Sequence, residues 1–79
     1  MRIKDAISQR ILFLCKQNNI SINKLAILSG QTQSIVQSLI SGKSRNPKML
    51  TIVRICDSLK ISLSEIFSDD LFRDIDIEL

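Results

Sequence analysis

Apolar side chains recur at helical spacing from the start of the chain. Ile3, Ala6, Ile7, Ile11 and Leu14 fall on one face of a helix. Asn18 and Asn19 end it, because asparagine tolerates the left-handed conformation of a helix C-cap. Ser21 then reads as the N-cap of a short helix over about 22–29, with Leu25, Ala26 and Leu28 facing inward. Gly30 makes a turn, Thr32 caps a third helix over about 33–41, and Gly42 stands where a C-cap glycine belongs. Beyond the polar, basic loop KSRNPK, Asn46 is placed to cap a fourth helix. Pro47 would take its first position, where a missing N–H costs nothing. That helix runs to about Leu59 and offers Leu50, Val53, Ile55, Cys56 and Leu59 for burial. Ser62-Leu63-Ser64-Glu65 is a capping box that opens a last helix over about 63–67. The pattern predicts an all-α fold, a compact bundle of five short helices. The second and third, joined by the glycine turn, form a helix-turn-helix. The folded domain is expected over 1–67. Residues 68–79 form an acidic C-terminal tail, whose alternation over 74–79 has the period of a strand and whose end is expected to be loose.

The third helix is unusual in its polar face. Residues 31–42, QTQSIVQSLISG, contain no Lys, Arg, Asp or Glu, although the chain is 24% charged. On a helical wheel Ile35, Val36, Leu39 and Ile40 fall together, with Gln33, Ser34, Gln37, Ser38 and Ser41 opposite. Solvated helix faces ordinarily use Glu and Lys, which keep both helix propensity and solubility. A strip of amides and hydroxyls suits a partner that presents hydrogen-bond donors and acceptors of its own.

Composition narrows the classes. Seventy-nine residues make one small domain, and two Gly with one Pro exclude a repeat or fibrous chain. The apolar run ILFLC, residues 11–15, is far below the ~20 residues a membrane span needs. The stretch MRIKDAISQR lacks the apolar block of a signal peptide, so a cytoplasmic location without membrane attachment is expected. With no His and no CxxC, neither a zinc site nor His-based catalysis can be assembled. No phosphate loop or plausible carboxylate pair is present either, so the expectation is a non-enzyme without cofactor or metal. Cys15 and Cys56 sit in apolar-periodic segments and read as buried, reduced thiols.

Charge is divided along the chain. Residues 1–64 hold ten Lys/Arg against Asp5 and Asp57, a net +8, and residues 65–79 hold Arg73 against six acidic residues, a net −5. A basic body with an acidic tail fits a polyanionic partner.

These motifs together resemble the phage-repressor and Cro-like (XRE-type) helix-turn-helix family. The resemblance rests on SINKLAILSGQTQSIVQSLISGKSRNPKMLTIVRICDSLKISLSEIF, residues 21–67, and covers 3–67 with the first helix. Its markers are Ser21, Leu25-Ala26, Gly30, Thr32, Val36, Gly42-Lys43, Asn46-Pro47 and the closing Ile61 to Phe67. It implies a lambda-repressor-like fold and sequence-specific binding of double-stranded DNA. The major groove admits an α-helix and presents a distinct donor/acceptor pattern for each base pair. Gln33, Ser34, Gln37 and Ser38 are therefore the candidate base contacts, the two glutamines as partners for adenine. Candidate phosphate contacts are Ser21, Asn23, Lys24, Thr32, Ser41, Lys43, Arg45, Asn46 and Lys48.

Three departures from the family qualify the resemblance. Many members carry a phosphate-holding Gln where this chain has Ile22, so the second helix is left with backbone, Asn23 and Lys24. Many also carry an Arg–Glu pair at the positions of Cys15 and Ile40. The apolar pair is self-consistent, because one orphaned buried charge is far costlier than two apolar partners, and Cys15 and Ile40 are expected to touch. Leu12, Phe13 and Ile27 lie where the family is mostly polar. They suggest a partner surface, on which the tail could pack through Leu71, Phe72, Ile75 and Ile77, unless the tail crosses a dimer.

The expected function is a transcriptional repressor acting as a homodimer on a palindromic operator. The alternative is an antitoxin-type or other protein-interaction module, in which the apolar patch and acidic tail bind a protein partner.

Overall fold

The computed structural model describes residues 1–43 and 46–77. It contains α1 (Ile3–Gln17), α2 (Ile22–Leu28), α3 (Gln33–Ser41), α4 (Met49–Leu59) and α5 (Leu63–Ile66), followed by one 3₁₀ turn, Asp70–Phe72. No strand occurs among the described residues, so residues 74–77 are not part of a sheet.

Local chemistry sets the boundaries. Asp5 lies in the first turn of α1 and Lys16 in its last, each favourable to the helix dipole. Asn19 adopts φ 55°, and the Ile20 N–H donates to the Cys15 carbonyl at 3.0 Å, which reverses the chain. Lys60 repeats the device at the end of α4, with φ 60° and the Ile61 N–H on the Cys56 carbonyl at 3.0 Å. The Ser21 and Thr32 hydroxyls accept from the Lys24 and Ile35 N–H groups at 3.0 and 3.2 Å, capping α2 and α3. Ser62 and Glu65 form the reciprocal capping box of α5.

The core is one cluster drawn from all five helices, with Ile11, Leu25, Val36, Ile52, Ile55 and Ile66 at its centre. Cys15 and Ile40 are both buried members of it. α3 is held from both sides, by α1 and by α2. The buried Ser8 hydroxyl donates to the Ile40 carbonyl, and Lys4 Nζ donates to the Gly42 carbonyl at 3.2 Å, so α1 fixes the C-terminal end of α3.

Several wheel assignments are corrected. α4 begins at Met49 with Lys48 as its N-cap, and neither Asn46 nor Pro47 belongs to it. Lys48 is extended, at ψ 133°, and its side chain makes no capping bond. Ile52, Ile55 and Cys56 are buried, whereas Leu50 and Val53 face outward. α4 carries two apolar stripes, and contact with α2 and α5 selects one of them. Ile3, Leu28 and Ile35 are also largely exposed. Ile3 opens the first turn of α1, and in the short α2 and α3 the residues at the edge of the buried stripe are left outside.

The tail closes back on α1. Phe72 packs against the core and meets Phe67 edge to face, with centroids 5.0 Å apart at 76°. Arg10 reaches across from α1. It donates to the Ile66 and Glu65 carbonyls at 2.8 and 2.9 Å and pairs with Asp69 at 3.4 Å. The Met1 amine pairs with Asp76 at 2.9 Å. Leu12 and Phe13 remain exposed with the tail in place, and the Arg10 guanidinium lies 5.6 Å from the Phe13 ring centre. No described helix is long and apolar enough to cross a membrane.

Candidate nucleic-acid interface

The turn between α2 and α3 is built to hold α3 at one angle. Gly30 sits at φ 67°, a left-handed conformation that strains any residue with a Cβ. The Gln31 N–H donates to the Ala26 carbonyl at 3.0 Å. Its side-chain amide donates to Ser29 Oγ at 3.1 Å and approaches the Thr51 carbonyl at 3.5 Å, linking the turn to α4. At the other end Gly42 adopts φ 77° and closes α3.

α3 buries Val36, Leu39 and Ile40 and turns its opposite side outward. Gln33, Ser34 and Gln37 are exposed and Ser38 is half-buried. Neither glutamine amide is used in a hydrogen bond to another described residue, so both keep their full donor and acceptor capacity. Thr32 and Ser21 spend their hydroxyls as helix caps and leave the first N–H groups of each helix pointing outward. The Ser41 hydroxyl turns back onto the Ser38 carbonyl at 3.3 Å.

Beside α3 lies a cleft of about 260 Å³, lined on one wall by Ser34, Ile35 and Ser38 and on the other by Asn46, Pro47 and Lys48. It brings candidate base contacts and candidate phosphate contacts to one surface. Lys43, Asn23 and Lys24 are exposed nearby in sequence, while Arg45 lies outside the described residues. Lys24, Lys43 and Lys48 make no ion pair with a described residue, whereas Arg10 and Arg73 are paired with acidic side chains of the tail. Lys24, Lys43 and Lys48 are thus left available, and Arg10 and Arg73 are neutralised. Ile22 is half-buried and packs against the core, so the position offers apolar contact in place of an amide.

Within α3, Ile35 is the residue that the wheel misplaced. It is 47% exposed on the cleft wall between Ser34 and Ser38. The available signal was its place at the edge of the apolar arc, although Ile40 at the opposite edge is buried.

A short capped helix, a glycine turn and an outward helix of unspent amides define a helix-turn-helix DNA-binding domain. The chain belongs to the Cro/C1-type HTH DNA-binding domain family, which matches residues 10–76. It is also similar to the crystal structure of the prophage Lp1 protein 11, with a TM-score of 0.82 and 30% identity over 95% of this chain and 100% of that one. No curated protein matches the chain at a significant level.

Proposed function

We propose that this domain is a transcriptional repressor that binds a palindromic operator as a homodimer and acts by occluding a promoter. The observation that carries the reading is the division of labour across the cleft. Free amides and hydroxyls stand on α3, and the unpaired Lys48 stands on the facing wall. Gln33 and Gln37 read bases, with Ser34 and Ser38 beside them. A bidentate Gln–adenine pair discriminates by about 1–3 kcal/mol. Lys24, Lys43, Arg45 and Lys48 hold phosphates, together with Ser21, Asn23, Thr32, Ser41 and Asn46, and set the register of α3 in the groove. Ile35 adds an apolar surface that suits a thymine methyl group.

Selection of bound sequences from a random DNA pool tests the reading. Two inverted half-sites with centres ~34 Å apart are expected. Gln33→Ala and Gln37→Ala should each relax the preference at one base position. Absence of any enriched sequence at physiological salt would overturn the proposal.

The second reading is an antitoxin-type interaction module. Phe13 and Ile27, 51% and 65% exposed, favour it. A salt titration discriminates the two, since DNA affinity falls by roughly 0.9 log units per phosphate contact for each tenfold rise in salt.

A further inference from the structure

We infer that the outward face of α4 is where two copies of this chain meet; the inference rests on the dimer reading above. α4 spends Ile52, Ile55 and Cys56 on the core. On the other side Leu50 is 58% exposed and Val53 38%, with Met49 at 56% beginning the helix. Isolated apolar residues are common on protein surfaces, but here they form a stripe at helical spacing. Two exposed charges share the stripe, Arg54 and Asp57, and neither makes an ion pair with another described residue. At about 100° per residue, Leu50, Arg54 and Asp57 fall within about 60° of one another, with Val53 at the edge.

This face is complementary to itself. A two-fold axis passing near Val53 and Arg54 lays α4 antiparallel to α4 of the second copy. At a rise of about 1.5 Å per residue, Val53 of the two copies then meets at the axis, and Leu50 of each stands about 5 Å to either side, across from Asp57 of the other copy. Arg54 of each copy comes within reach of Asp57 of the other, so both unpaired charges are satisfied twice by one symmetry operation. An unrelated partner would need its own apolar stripe with the same two charges in opposite order; a second copy has them already.

The position also suits the operator. Half-sites ~34 Å apart leave each α3 ~17 Å from the dyad. The protein measures 34 × 23 × 20 Å, so an interface on an element beside α3 is compatible with that spacing. α4 is such an element, since Lys48 and Thr51 share the cleft with Ser34 and Ile35.

Sedimentation equilibrium of the full chain without DNA provides the test, with thermal melts confirming that each variant is folded. The wild type should sediment as a dimer, and Leu50→Asp as a monomer with unchanged helix content. Arg54→Asp sets like charges against each other at two symmetric places. It should raise the dimer dissociation constant by about tenfold or more, and the double swap Arg54→Asp/Asp57→Arg should recover most of the loss. If Leu50→Asp and Arg54→Asp sediment as the wild type does, the inference is wrong and another surface carries the dimer. A wild type that stays monomeric also overturns it. Either result leaves DNA recognition by α3 intact, because the assay contains no DNA.

Discussion

Phe72→Ala asks whether the segment after α5 is part of the fold. Phe72 is half-buried, packs on the core cluster and meets Phe67 edge to face at 5.0 Å. Removing a fully buried Phe side chain costs about 3–5 kcal/mol. An edge-to-face pair contributes about 0.5–1.5 kcal/mol of such a loss. Half burial brings the expected destabilisation to about 2 kcal/mol. In a domain of this size each kcal/mol lowers the melting temperature by roughly 4–8 °C, so a fall of about 8–16 °C is expected. Circular dichroism melts and urea titrations with a common m-value provide the measurement. Ile77→Ala is the control, because Ile77 is 87% exposed and its loss should shift stability by less than about 0.5 kcal/mol. If Phe72→Ala behaves like Ile77→Ala, Phe72 contributes nothing to the domain and the packing argument fails.

Other outcomes follow from the same geometry. Replacing the contacted thymine of a selected half-site by uracil removes one methyl group and should weaken the wild type about fourfold, from ~0.8 kcal/mol per buried carbon. Ile35→Ala should be indifferent to that exchange, and equal sensitivity in both proteins would remove Ile35 from the readout. Lys48→Ala should reduce the slope of log K against log salt by about 0.9 while leaving the preferred sequence unchanged. Burial pushes both thiols above the ordinary 9.0, in Cys56 helped by the Glu65 carboxylate and opposed by a backbone hydrogen bond. The folded state therefore holds these protons more tightly than the unfolded chain, so stability should be level below pH 9.0 and fall as pH rises beyond it. Cys15→Ser and Cys56→Ser should each flatten that fall in urea titrations across pH. Cys15→Arg, which buries a charge without its partner, should cost at least ~3 kcal/mol, and an unchanged melting temperature would count against the close packing around Cys15.

The helix boundaries were largely legible in the sequence because they are local. A cap needs one side chain at the right offset from a backbone N–H, as at Ser21, Thr32 and Ser62, and a reversal needs a residue that tolerates positive φ, as at Asn19 and Gly42. The neutral face of α3 was legible for the same reason, since it is a property of nine consecutive residues. Which apolar stripe of a helix is buried was not. α4 offers Leu50 and Val53 on one side and Ile52, Ile55 and Cys56 on the other, and only its neighbours α2 and α5 decide between them. Ile35 turned outward because α1 and α2 leave room for Val36, Leu39 and Ile40 alone. Arg10 gave no local sign that it would bind the carbonyls of Glu65 and Ile66, more than fifty positions away. Sequence by itself determined where the helices capped by Ser21, Thr32 and Ser62 start and that α3 presents amides instead of charges, because those follow from groups a few residues apart, whereas the start of α4 at Met49 was not legible in Asn46-Pro47. Tertiary structure decided which faces are core, which cations stay free and which apolar stripe remains for a partner, because burial belongs to surfaces that only packing brings together.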